Sequence, residues 1–121
     1  MQYLKTYLKK ITDRGNTKLA ESIEKTANDV GNKHIKTFSF SSHEIGLLLG
    51  NVQSGKTGQM FGIICKAADL GFPVFVLLTT DNVVLQQQTL DRVRADLEGF
   101  CICGENDAAL FAENNLMDPV I

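Results

Sequence analysis

The sequence predicts an α/β fold with a parallel β-sheet, and three observations support this prediction. Residues 45–49 and 73–78 are continuous apolar runs, as expected of strands that are buried on both faces of a sheet. Each run is followed by a segment with the apolar spacing of an amphipathic helix, over residues 58–70 and 83–98. Because parallel strands need helical crossovers, this order of segments predicts βαβ units with right-handed connections.

The loop between the first strand and the first helix has the pattern G-x-x-x-x-G-K-T over residues 50–57. Its glycines let backbone N–H groups turn towards phosphate oxygens, and the following helix adds the positive end of its dipole. In this pattern the lysine reaches the β- and γ-phosphates and the threonine hydroxyl binds Mg²⁺. The sequence therefore predicts a P-loop NTPase that binds ATP and Mg²⁺. The predicted nucleotide-binding residues are Gly50, Asn51, Val52, Gln53, Ser54, Gly55, Lys56, Thr57 and Gly58, with Thr57 as the Mg²⁺ ligand.

Both predicted helices have recognisable ends. Gly71 lies where a C-terminal cap of the first helix belongs. Asp81 is expected to cap the N-terminus of the second helix, and Gly99 is expected to end it. The inner face of that second helix is predicted to carry Leu85, Thr89, Val93 and Leu97.

Residues 1–37 predict a helical N-terminal extension, because two apolar stripes are separated by Gly15 and Asn16. This helical hairpin is expected to end at Gly31 and to pack against the nucleotide-binding domain, or alternatively to serve as a partner-binding arm. Residues 38–121 then form a partial P-loop domain that stops at the start of a third strand, so we expect an N-terminal fragment. Phe38 and Phe40 are expected either to cover the adenine side of the site or to pack in the core.

Composition limits the classes of function. The chain of 121 residues has a net charge of −2, so it lacks the basic excess that often marks nucleic-acid-binding proteins. It has no signal peptide and no apolar run of about 18 residues, which predicts a cytoplasmic protein with no membrane partner. Cys65, Cys101 and Cys103 are interpreted as buried thiols rather than zinc ligands, because a zinc site usually needs four ligands.

A resemblance to a known family rests on several short motifs. These are V-Q-S-G-K-T at residues 52–57, K-A-A-D at residues 66–69, V-L-L at residues 76–78 and L-x-x-Q-T-x-x-R at residues 85–92. With these motifs the chain resembles the Z-one domain proteins, which are endonuclease-associated ATPases with a superfamily-two helicase-like motor. The similarity covers about residues 46–93. It implies a RecA-like P-loop domain and ATP-driven action on DNA in prokaryotic restriction or phage defence.

The resemblance also implies a nucleic-acid contact after the second strand, at Thr79, Thr80, Gln88 and Arg92. Such motors often have a proline in this loop, where this chain has two threonines. A helicase-like motor also needs an acidic pair for Mg²⁺ and an arginine from a second lobe. No Asp-Glu pair follows either predicted strand, and we interpret Asp81 as a helix cap and Asp69 and Asp96 as surface charges. The fragment alone is therefore expected to bind ATP weakly and to hydrolyse it poorly or not at all.

Two other functions fit the same loop. One is a small-molecule P-loop kinase with Asp81 on the metal side, although no lid segment rich in lysine and arginine is evident. The other is an interaction module that binds nucleotide without turnover. An incomplete sheet also leaves an open edge, through which two copies of the chain are expected to associate.

Overall fold

A computed structural model of the chain describes residues 2–50, 55–79, 81–114 and 117–121. These residues form five α-helices and one π-helical turn. The helices are α1 (Tyr3–Asp13), α2 (Thr17–Val30), α3 (Lys56–Asp69), α4 (Val83–Asp96) and α5 (Ala108–Asn114), and the π-helical turn (Gly31–Ile35) continues directly from α2.

The predicted parallel-sheet P-loop fold is wrong, because the described residues contain no β-sheet. Helices make up 58% of these residues and strand-like bridges 3%, so the architecture is all-helical. Residues 45–49, the predicted first strand, have no regular structure, and Ile45, Leu47 and Leu49 are largely exposed. An apolar run becomes a strand only where its backbone finds partners on neighbouring strands, and the described residues offer single bridges instead. Self-association through an open sheet edge loses its structural basis over the described residues, and association of two copies stays a prediction.

Among the described residues, the predicted second and third strands meet at Val120. This residue is buried and pairs in parallel with Val74 on one side and with Cys101 on the other. The Val120 N–H donates to the carbonyl of Pro73 at 2.9 Å, and the Cys101 N–H donates to the carbonyl of Pro119 at 2.8 Å. These isolated bridges tie the C-terminal residues of the chain to the segments that precede and follow α4.

The core lies between α1, α2 and α3, and the C-terminal half of α4 closes it. The helices predicted before residue 37 are present, with Gly15 at φ +85° in the turn between them. The predicted end of the second helix at Gly31 is wrong, because the π-helical turn extends the helical chain to Ile35. The buried core residues are Leu4, Tyr7, Ile11, Ala20, Ile23, Ala27, Phe61, Ile64, Cys65, Val93 and Leu97.

The ends of α3 and α4 show one confirmed cap and one corrected cap. Gly71 follows α3 with φ +96°, which confirms the predicted glycine cap. At the start of α4 the cap is Asn82 rather than Asp81. The Asn82 side-chain oxygen accepts from the N–H groups of Val84 at 3.0 Å and Leu85 at 3.2 Å. Of the residues predicted for the inner face of α4, Val93 is buried, whereas Leu85 is exposed.

Asp69 caps a helix that is distant in sequence. Its carboxylate, at the end of α3, accepts from the N–H of Tyr3 at 2.7 Å and from that of Leu4 at 3.2 Å. α1 has no acidic residue in its first turn, and its own N-cap residue, Gln2, makes no side-chain cap. Asp69 is exposed, which confirms its interpretation as a surface charge, and it also supplies the missing cap and fastens α1 to α3.

We expect Asp69→Ala to lower the free energy of unfolding by about 0.5–2 kcal/mol, as is usual when a helix cap is removed. Asp69→Asn keeps one acceptor oxygen and should lose less. Urea denaturation followed by circular dichroism measures both changes, and Asp29→Ala is the matched control because Asp29 is an exposed aspartate on α2. Equal losses for Asp69→Ala and Asp29→Ala would contradict the capping role.

Candidate functional site

The predicted phosphate-binding loop leads into the first turn of α3. Gly55 has φ +76° and ψ +30°, a left-handed conformation that favours glycine, and α3 begins at the next residue, Lys56. Lys56 and Thr57 are exposed in this first turn, and Gly50 is exposed at the other end of the loop. The predicted loop residues Asn51, Val52, Gln53 and Ser54 lie outside the described residues.

The first turn of α3 is favourable for an anion. The first N–H groups of an α-helix have no acceptor within the helix, and they form the positive end of its dipole. α3 has no acidic residue in its first turn that would repel or replace an anion. Lys56 adds a positive charge at the same place, so the exposed side of this turn combines backbone donors, an ammonium group and the Thr57 hydroxyl.

The opposite side of the first turn is anchored to the helical hairpin. The Tyr7 hydroxyl on α1 donates to the carbonyl of Gly58 at 3.2 Å, and burial raises the pKa of Tyr7 to about 12, so the phenol keeps its proton. The Gln59 side-chain amide donates to the Ser22 hydroxyl on α2 at 2.9 Å. Gly58 is buried, and a Cβ there would lie 3.4 Å from Ile23. The hairpin therefore positions the helix start from which Lys56 and Thr57 project.

Gln59 is a buried polar residue that the sequence did not single out. It is 8% exposed, and its Oε1 has no hydrogen-bond partner among the described residues. Its place one residue before the apolar helical stripe of residues 60–68 is a signal that could have pointed to it, but its burial depends on α2. The unpaired oxygen is a local cost in stability at the base of the loop.

Three of the four predicted nucleic-acid contacts lie within the described residues and are exposed, and a nucleic-acid contact at them stays a prediction. Thr80 lies outside the described residues, and Thr79 and Gln88 are exposed, with Thr79 lining a groove of about 370 Å³. Arg92 lies over the ring of Phe61, with its guanidinium carbon 5.6 Å from the ring centroid. Its Nε also lies 3.7 Å from Oδ2 of Asp96, so Arg92 contributes to the packing between α3 and α4, while its side chain stays 51% exposed.

Asp96 was wrongly interpreted as a surface charge. Its side chain is 7% exposed and accepts from Arg14 of the hairpin at 2.7 Å, while Arg92 lies on its other side. The spacing of residues 92 and 96 along one helix indicates the second pair, but nothing in the sequence links Arg14 to residue 96. This carboxylate therefore joins the hairpin to α4 and leaves no free acid for Mg²⁺ there.

Aromatic residues cluster beside the segment 45–49. The ring of Phe40 stacks on that of Phe72 with centroids 5.6 Å apart, and Phe38 lies 5.1 Å from Phe40. Phe40 is exposed, so core packing does not describe it, and a position over adenine stays a prediction. Phe38 and Phe72 line a neighbouring open groove of about 650 Å³ whose walls are mostly apolar.

The three cysteines differ in their surroundings. Cys65 is buried on α3, as predicted, and burial raises the pKa of its thiol to about 12, which makes it unreactive. Cys101 and Cys103 are half-buried, so their interpretation as buried thiols was wrong. The described part of the chain holds no group of three or more His, Cys, Asp or Glu side chains that could bind a metal ion.

Comparison of the chain with protein-family models, curated proteins and solved structures gives no match. The resemblance to the Z-one domain ATPases therefore stays a prediction that depends on the quoted motifs. Over the described residues, no helix has both the length and the apolar character needed to span a bilayer.

Proposed function

We propose that the chain binds the triphosphate of ATP, together with Mg²⁺, at the N-terminus of α3. The observation that carries this proposal is the left-handed Gly55 followed directly by Lys56 and Thr57, at the start of a helix of 14 residues. The same three residues complete a phosphate-binding sequence pattern. The proposal concerns this local site and makes no use of a parallel sheet.

The donors at this helix start fit a polyphosphate. Backbone N–H groups and the Lys56 ammonium are hydrogen-bond donors, which is what phosphate oxygens require. The Thr57 hydroxyl is a neutral oxygen ligand of the kind that Mg²⁺ accepts alongside phosphate oxygens and water. A bound Mg²⁺ would neutralise charge on the β- and γ-phosphates, and Lys56 would hold those phosphates against the helix.

Hydrolysis of ATP and action on DNA in restriction or phage defence are further proposals, which rest on the resemblance. They need an acidic group for the attacking water and a surface for the nucleic acid. Asp96 is engaged with two arginines and does not supply the acidic group, whereas Arg92 packs on Phe61 and keeps about half of its side chain exposed (51%). Of these proposals, nucleotide binding has the most direct support, because the start of α3 supplies its donors.

We expect Lys56→Ala to weaken binding of Mg²⁺-ATP by about 10- to 100-fold, because a hydrogen bond to a charged group contributes about 1.5–3 kcal/mol. Isothermal titration calorimetry on the wild type and the variant measures this change. Lys25→Ala is the matched control, since Lys25 is an exposed lysine in the middle of α2 and the substitution removes the same charge. Thr57→Ser keeps the hydroxyl and should retain Mg²⁺-dependent binding, whereas Thr57→Ala should lose the dependence on Mg²⁺.

Two results would contradict the proposed ATP-binding site at the start of α3. One is absence of ATP binding by a wild-type chain whose circular dichroism shows folded helices. The other is equal weakening by Lys56→Ala and Lys25→Ala, which would mean that ATP responds only to overall charge. Adenosine, which lacks phosphates, should bind far more weakly than ATP. Release of phosphate from ATP, measured with and without duplex DNA, separates a motor from a binding module.

A further inference from the structure

Cys101 and Cys103 bring two sulfur atoms close together outside the proposed nucleotide site. Their Sγ atoms are 3.6 Å apart, and both side chains are half-buried rather than enclosed. The third cysteine, Cys65, is 1% exposed within the helical core. A small reagent can therefore reach the first two thiols, and the third is shielded.

The backbone explains why these sulfurs meet. Residues 101–103 are held extended by hydrogen bonds from the N–H of Cys101 to Pro119 and from the N–H of Cys103 to Ile121, each 2.8 Å. In an extended segment, side chains two residues apart lie on the same face. Their Cα atoms are then about 6.6 Å apart, near the upper limit of about 6.8 Å for a disulfide. The two sulfurs need to approach to about 2.05 Å, which takes a modest bend of the segment.

We propose that Cys101 and Cys103 form a reversible redox pair that a low-molecular-weight disulfide, such as oxidised glutathione, converts to an intramolecular disulfide. One protein thiolate attacks a sulfur of oxidised glutathione, which breaks the glutathione S–S bond and releases one reduced glutathione. The second thiol loses its proton and attacks the mixed disulfide, which releases the second reduced glutathione. The protein thus loses two protons and two electrons, and one molecule of oxidised glutathione takes them up to become two molecules of reduced glutathione.

The disulfide changes contacts on both sides of residues 101–103. The Cys101 thiol lies 3.7 Å from the carbonyl of Leu110 in α5, and a disulfide has no S–H to donate to it. The bend also disturbs the hydrogen bonds that tie this segment to residues 119–121. A bond that strains its surroundings is more easily reduced, so this pair is labile rather than a structural crosslink. Oxidation is therefore expected to lower the melting temperature of the chain.

The thiols react faster as the pH rises. The pKa of the Cys103 thiol lies above its ordinary value, because partial burial is the largest effect and the hydrogen bond with Cys101 adds to it. Nearby, the Asp107 carboxylate also raises this pKa, and Arg94 opposes it. Since the thiolate is the nucleophile, the rate of exchange increases as the pH rises towards the thiol pKa.

The test is mass spectrometry of the intact chain after equilibration with defined ratios of oxidised and reduced glutathione. We expect the wild type to lose two hydrogens at oxidising ratios and to recover them on return to reduced glutathione. Cys101→Ser and Cys103→Ser should each gain one glutathione instead. Circular dichroism before oxidation confirms that the variants are folded, and a thermal melt compares the oxidised and reduced wild type.

A second reagent tests the geometry without any redox step. Phenylarsine oxide condenses with two thiols that lie close together, forming two As–S bonds and releasing water. It should bind one per chain to the wild type and should fail to bind stably to either serine variant. The proposal of a redox pair is wrong if the wild type remains reduced at every glutathione ratio, carries only glutathione adducts, or forms disulfides between chains.

Discussion

Phe61→Ala is expected to lower the free energy of unfolding by about 3–5 kcal/mol, the usual range for removing a buried aromatic ring. Phe61 is 1% exposed and lies where α3 meets the hairpin and α4. Its ring packs edge-on against Tyr7 with centroids 6.3 Å apart, and the Arg92 guanidinium lies over its face. The substitution therefore leaves a cavity, and it removes the ring that Tyr7 and the Arg92 guanidinium both contact.

Urea denaturation followed by circular dichroism measures this loss, and Phe40→Ala is the matched control. The same atoms are removed at residue 40, but this residue is 82% exposed and its ring contacts the rings of Phe38 and Phe72. A small domain has about 5–15 kcal/mol of stability in total, so Phe61→Ala should also lower the melting temperature clearly. Similar small losses for the two variants would mean that the ring of Phe61 is not a core contact.

Gly62→Ala is expected to lower the free energy of unfolding by about 1–3 kcal/mol, although alanine is intrinsically the better helix former by about 1 kcal/mol. A Cβ at residue 62 would lie 2.4 Å from Cγ2 of Ile23, which is well inside van der Waals contact. Ile23 is fully buried and its branched side chain has little rotamer freedom, so α2 and α3 must move apart. The glycine thus permits the close approach of these two helices.

The matched control lies one helical turn earlier. Gly58→Ala introduces a Cβ at 3.4 Å from Ile23 and 3.5 Å from the Tyr7 hydroxyl, which are ordinary contact distances. The same substitution at residue 58 should therefore be neutral or stabilising, while at residue 62 it is destabilising. In an Ile23→Ala background the overlapping methyl group is absent, and the effect of Gly62→Ala should shrink or reverse. Equal effects at the two glycines would contradict a close α2–α3 approach.

The helices were predictable because their signals are local. The apolar spacing in α1, α2 and α3 repeats with the helical period, and Gly15 and Gly71 provide the left-handed turns that end two of these helices. The pattern of Gly55, Lys56 and Thr57 is likewise local, because it is recognised by residue order alone, and its role as a binding site stays a proposal. The cap of α4 was placed one residue too early, because Asp81 and Asn82 are both good caps and only the backbone decides between them.

The sheet could not be judged from the sequence, because a strand is a property of at least two segments. Residues 45–49 and 73–78 carry the apolar character of strands, yet the described residues provide the second run with one bridge and the first with none. A local pattern indicates which segments are apolar, but it does not indicate which other segments will offer backbone groups for hydrogen bonding.

By itself the sequence determined the presence of α1 to α4, the phosphate-binding pattern and the burial of Cys65. The tertiary structure decided the partners of charged and sulfur-bearing residues. Asp69 caps α1 and Asp96 binds Arg14, although each pair is separated by more than 60 positions along the chain. The approach of Cys101 to Cys103 likewise requires the extended segment that residues 119–121 hold in place. Such contacts depend on where distant segments are brought together, and no local periodicity carries that information.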